Sequence, residues 1–169
     1  MNLTFAPKNI LQIDDARIIF KKFEGRGDKF NREGDRNFSL LIEDPKTADA
    51  LKREGWNVKI KDAGDGEDPF MRLPVKVKFT DYGPNVYLVS GDRRVELDEE
   101  SIACLDNIDI ETVDMDLRPY DWEVNGRTGR TAYLQSMQVV QRIDRFAARY
   151  ANTNMGSRNV DVDEDDLPF

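Results

Sequence analysis

Apolar residues in this chain recur mainly at every second position, in short runs broken by glycine, proline and acidic turns, and that period restricts the fold to sheet. Residues 72–79 show it most cleanly. Leu73, Val75, Val77 and Phe79 fall on one face, with Arg72, Lys76 and Lys78 on the other. Pro74 in the same run predicts an edge strand or a strand start, because it has no N–H to donate. Residues 16–23, 37–42, 56–60, 86–89, 120–124 and 131–140 read as further strands, rich in β-branched and aromatic side chains. Strand parity would send Phe20, Phe38 and Phe79 into the core, and Trp56 packs there too. The alternation over 108–117 slips near Thr112 and resumes at Val113, Met115 and Leu117, which predicts a bulge.

Two short helices interrupt this pattern. Asp44 and Pro45 open one that Gly55 ends, with Ala48 and Leu51 facing inward. Residues 98–105 form the other, with acids in its first turn. Residues 24–36 and 61–69 are polar, glycine-containing loops, and 142–150 suit one or two helical turns. Asn125-Gly126 is a hairpin dipeptide, although Arg127 to Gly129 predict a longer loop. Strands, two helices and no βαβ alternation predict an all-β protein. The best match is an OB-fold barrel, a five-stranded core with extra strands and two short inserted helices. An immunoglobulin-like sandwich matches the strand count but does not ask for the helices. At 169 residues, the chain suits one domain over 1–151 and a disordered acidic C-terminal tail over 152–169.

Composition narrows the chemistry. There is no histidine, which removes the commonest general base and imidazole metal ligands. Cys104 is the one cysteine, so no intrachain disulfide and no cysteine-cluster metal site can form. These absences favour binding over catalysis, with no cofactor and no metal. No apolar run approaches a membrane span and residues 1–5 carry no leader pattern, so the expectation is a soluble, unexported, cytoplasmic protein with no membrane partner.

The formal net charge is −8, yet the charges segregate. Residues 96–116 hold nine acids and no base, whereas residues 71–94 hold five bases against two acids. A basic face opposite an acidic one is the arrangement that a nucleic-acid partner would need. Single strands are held by cations along a groove and by aromatic faces on which bases stack. The interleaved candidates are Lys21, Lys22, Arg26, Lys29, Phe30, Arg32, Arg36, Lys76, Lys78, Tyr82, Trp122, Arg127, Arg130 and Tyr133. Among the aromatics, Phe30, Tyr82 and Trp122 lie in or beside polar turns, where side chains meet partners.

The chain ends on Asp163, Glu164, Asp165, Asp166, Leu167, Pro168 and Phe169, an apolar hook behind a run of carboxylates. Proline keeps such a tip extended, so the ring and the terminal carboxylate can enter a small basic-rimmed pocket. This tip resembles the end of bacterial single-stranded DNA-binding proteins, with Leu167 in place of isoleucine. The stretch Arg130-Thr-Ala-Tyr-Leu-Gln-Ser-Met-Gln-Val-Val140, with Trp122 to Gly126 and Ala16 to Phe20, resembles tailed-phage single-stranded DNA-binding proteins. The resemblance implies an OB-fold core, sequence-independent binding of single-stranded DNA, and a tail that recruits replication, recombination or repair proteins such as a helicase, nuclease or recombination mediator. Phage members of the group are often dimers, which leaves a homodimer open. The Leu-Pro-Phe ending looks bacterial rather than phage, as if a phage protein imitated its host's tip.

Two other readings stay open at this level. Asp109, Glu111, Asp114 and Asp116 could converge on magnesium in a metal-dependent nuclease, although Asp114 and Asp116 fall on the outward side of an alternating strand. Alternatively, the acidic face could mimic DNA and occupy another protein's basic cleft, as an assembly protein would.

Overall fold

A computed structural model of the chain describes residues 1–144 and 146. Ten strands share one sheet system: β1 (Asn2–Phe5), β2 (Leu11–Asp14), β3 (Ile18–Lys22), β4 (Arg36–Ile42), β5 (Lys59–Lys61), β6 (Phe70–Val77), β7 (Asn85–Ser90), β8 (Arg93–Leu97), β9 (Ile110–Val124) and β10 (Arg127–Gln141). The path runs β1-β2-β9-β10-β6-β4-β3, with β5 added to β6 and the β7–β8 hairpin added to β10. This is the expected all-β, OB-type architecture, with its sheet left unclosed. The expected helix at residues 142–150 lies largely, and the tail over 152–169 wholly, outside the described residues.

The β9–β10 hairpin is the spine. Asn125 and Gly126 both have positive φ, as a two-residue type I′ turn requires, so pairing begins at once with Arg127 opposite Val124. The longer loop expected there does not form. Glycine returns at Gly129, directly opposite Trp122, where a Cβ would overlap the indole ring. Further down, the register shift between Val140 and Gln141 leaves Glu111 unpaired beside Thr112, where the alternation slips phase.

The free edge of β10 is shared by two strands in succession. Ala132 and Tyr133 pair in parallel with β6, and Ser136 to Val140 pair in parallel with β7. Between them the chain makes a tight turn closed by Thr80 and Gly83, whose backbone groups exchange hydrogen bonds of 2.7 and 3.2 Å. β6 is therefore interior, and the edge position expected from Pro74 is wrong. Pro74 opposes Ser39 of β4 on one side. On its other side, pairing to β5 ends at Arg72 and pairing to β10 begins at Val75, so the missing N–H falls in a gap between partners.

The core lies beneath these strands, built from Leu11, Ile13, Phe23, Phe38, Leu40, Leu73, Val75, Val113, Leu117, Leu134 and Val139 among others. One α-helix, α1 (Pro45–Arg53), caps it with Ala48 and Leu51, and Asp44 accepts the Lys46 N–H at 2.9 Å to start it. The second expected helix is a 3₁₀ segment, Ser101–Asp106, which buries Ile102 and Leu105. Asp98 closes its start by accepting the Ser101 N–H at 2.7 Å, and that bond holds its carboxyl below the ordinary range. Trp56 is buried as expected but precedes β5 as a single bridge to Arg130, so the strand expected over 56–60 is shorter and later.

Candidate nucleic-acid interface

Register lines up one side chain from each of five strands on the face away from the core. Arg118 of β9 opposes Tyr133 of β10, Tyr133 opposes Lys76 of β6, Lys76 opposes Asn37 of β4, and Asn37 opposes Lys22 of β3. Residues directly opposite share a face, so these five form a row across the strands. Four inter-strand steps make it about 19 Å long. None of the five is buried, whereas their neighbours Leu117, Ala132, Leu134, Val75, Val77, Phe38 and Phe23 are.

Four of the five, Lys22, Asn37, Lys76 and Tyr133, line a groove of about 960 Å³, with Arg118 beside Tyr133 outside that lining. Its lining carries six basic side chains, Lys21, Lys22, Arg36, Arg72, Lys76 and Lys78, against two acidic ones, Asp35 and Glu99. In a chain of net charge −8 this local excess is a focused positive field. Aromatic faces accompany it. Phe30 is 88% exposed at the rim, Phe79 is half-buried, and Tyr133 carries the Arg118 guanidinium 4.8 Å from its ring centroid, with Tyr120 edge-on at 5.9 Å.

The cations are not equally free. Lys76 and Lys78 are exposed. Lys21 donates to the Leu105 carbonyl at 2.8 Å and the Ile108 carbonyl at 3.4 Å, so it ties β3 to the 3₁₀ segment as well as bordering the groove. Lys22 pairs with Asp28 at 2.9 Å. That bond, with the Phe30 N–H donating 2.7 Å to the same carboxylate, lowers the Asp28 pKa and fixes the turn carrying Phe30. Arg36 donates to Glu99 at 3.2 Å while its Nε is buried without a partner.

Of the candidates named from sequence, the groove gathers Lys21, Lys22, Phe30, Arg36, Lys76, Lys78 and Tyr133. Arg26, Lys29, Arg32, Tyr82, Trp122, Arg127 and Arg130 do not line it. Tyr82 is 96% exposed at the tip of the Thr80–Gly83 turn. Trp122 packs on Gly129, and Arg130 makes a two-pronged bond to Asp121, at 2.7 and 3.2 Å, beneath which Trp56 lies. This bond raises the Arg130 pKa and lowers that of Asp121.

Sequence parity misplaced Phe20. Ile19 opposes Ser39, but the next registered pair is Lys22 with Asn37, so β3 spends one residue more than β4 over the same step. The extra residue reverses the phase. Phe20 leaves the core, 57% exposed at φ 52°, and Phe23 enters it. Arg72 and Asn37 were also missed, although alternation had already put Arg72 on the outward face.

The acidic residues do not assemble. Asp114 accepts the Asp15 N–H at 2.8 Å, and Asp116 accepts from the Ser136 hydroxyl at 3.1 Å. Among the described residues, no three carboxylate or thiol groups converge as a metal site. No described helix is long and apolar enough to cross a membrane.

An open OB-type sheet with a cationic, aromatic-lined groove across its strands defines a protein of the oligonucleotide-binding class. Residues 2–169 match the family described as "Putative phage ssDNA-binding domain", and the chain belongs to that family. The fold is similar to that of the single-stranded DNA-binding protein from bacteriophage Enc34. A structure of that protein in complex with ssDNA aligns with TM-score 0.52 and 18% identity, covering 85% of this chain and 91% of the other. Another structure of the Enc34 protein aligns with TM-score 0.52 and 16% identity, covering 95% and 91%. A comparison with curated proteins finds no match.

Proposed function

We propose that this chain binds and protects single-stranded DNA without reading its sequence, during replication, recombination or repair. The observation that carries this reading is the five-strand row from Arg118 to Lys22, four of whose members, Lys22, Asn37, Lys76 and Tyr133, line a groove with six bases and two acids. Cations there can follow a phosphate backbone while Tyr133, Phe30 and Phe79 offer faces to bases of any identity. Membership of a phage ssDNA-binding family supports the same partner. The role is non-enzymatic and the setting is the cytoplasm of a bacterium or an infected bacterial host.

The tip from Asp163 to Phe169 serves as a docking peptide for proteins working on exposed strands. Its sequence supports this through the apolar hook behind four consecutive carboxylates. Anisotropy of labelled oligo-dT over a salt series tests the core function. Affinity should fall by about 0.7 log units per log unit of salt for each phosphate neutralised. Binding that ignores salt, or no binding, defeats the reading. Deleting Phe169 should leave this affinity intact and abolish capture of tip-reading partners; retained capture would place docking elsewhere.

A further inference from the structure

Phe20 stands between two cavities. It belongs to the wall of the main groove and to that of a second hollow of about 510 Å³, lined by Lys59, Ile60, Lys61, Asp62, Ala63, Phe70 and Arg72 as well as Phe20. Phe20 and Arg72 line both. Register explains the second hollow. Lys59 opposes Arg72 and Lys61 opposes Phe70, so two lysines of β5 share a face with an arginine and an aromatic of β6. Asp62 is the one acid in that lining, against three bases.

The Phe20 ring is held for display rather than packing. Its centroid lies 5.9 Å from that of Phe70, at an interplanar angle of 60°, and the Arg72 guanidinium sits 5.6 Å above it while donating to Ser39 Oγ at 2.8 Å. The backbone beneath is left-handed at φ 52°, a conformation that a bulky non-glycine residue adopts at a cost and that tends to mark functional positions. A single-residue bulge produces both the conformation and the outward ring.

We propose that Phe20 is a stacking post in the middle of the single-strand track, and that the track continues past it over β5, with Lys59 and Lys61 holding phosphates beyond the main groove. This rests on the reading of the groove as a single-stranded DNA site and extends it. A nucleotide leaving the row at Lys76 meets the Phe20 face next, and Arg72 is placed to hold the phosphate between the two hollows.

Two changes to the full chain test it. Phe20→Gly removes the ring while accepting the left-handed backbone without strain, so its melting temperature should match or exceed that of the unchanged chain. Its affinity for oligo-dT should nevertheless fall about tenfold, the loss of one stacked base. Lys59→Glu with Lys61→Glu should weaken the longest members of a dT series of about 4 to 16 nucleotides by about tenfold or more. The shortest, which fit within the main groove, should change by less than about twofold. Ultraviolet crosslinking of an oligonucleotide carrying 5-iodouracil should attach to Phe20 in the unchanged chain. Tight, salt-sensitive binding that all these changes leave untouched, with no Phe20 adduct, overturns this proposal and spares the parent reading. Failure of the unchanged chain to bind any length removes both.

Discussion

Lys76 and Tyr133 stand directly opposite each other where β6 and β10 run parallel, a cation beside an aromatic face at the centre of the groove. Neither side chain is in the core, and the strand faces behind them are filled by Val75, Val77, Ala132 and Leu134. Groove-facing chemistry and core packing are thus separable at this point.

Reversing the charge of Lys76 and Lys78 together should weaken oligo-dT binding by about tenfold or more and reduce the salt slope by about 1.4. Both side chains are exposed, so the thermal midpoint should stay within a few degrees of the original. Anisotropy across a salt series and a melting curve check the two halves; unchanged affinity would remove β6 from the site.

If the groove binds DNA as proposed, Glu99 competes with the ligand, because it occupies Arg36 at 3.2 Å. Glu99→Gln should release that guanidinium and tighten oligonucleotide binding by about two- to fivefold, the scale of a partly exposed ion pair. Weaker binding would mean that the pair positions Arg36 rather than competing for it.

Gly129→Ala should destabilise the protein by about 1–3 kcal/mol, because the new methyl group occupies space filled by the Trp122 ring. A lowered melting temperature and a red-shifted tryptophan emission are the expected readouts. Wild-type stability would show that the hairpin tip can repack.

Asp28 couples pH to the position of Phe30. Its pKa is depressed, chiefly by the Lys22 hydrogen bond and then by the Phe30 N–H, so its contribution is present above the ordinary Asp value of about 3.9 and is lost as pH falls through the lower folded value. Amide signals of the turn around Phe30 should broaden or shift in that acid window while those of β9 and β10 hold. Asp28→Asn should produce the same local loosening at neutral pH.

Much of this fold is legible because burial on one face writes a period of two into β6, β9 and β10. The three strands that escaped notice, β1, β2 and β8, are short, and β1 and β8 are largely exposed, so no alternation is imposed on them. Pro74 misled because a gap between two partners on one side of a strand looks, in sequence, like an edge. Phe20 misled for a different reason. The bulge in β3, unlike the one near Thr112, adds one residue without a local signature in the sequence, since glycine is absent and the left-handed position holds an aromatic. For the site, clustering of lysine, arginine and aromatic side chains named fourteen residues, and seven of them line the groove. Arg130 and Trp122 have the right chemistry but are engaged by Asp121 and Gly129, which only the hairpin register reveals.

The row from Lys22 to Arg118 has a consequence for how the protein responds to its ligand. Its members are spread over residues 22–133 on five strands hydrogen-bonded side by side, and four of them line the groove, so an occupied groove clamps the sheet crosswise. No excised segment could inherit the affinity. Saturating DNA should therefore slow amide exchange in β3, β4, β6, β9 and β10 together, as one cooperative unit, instead of shielding a single loop.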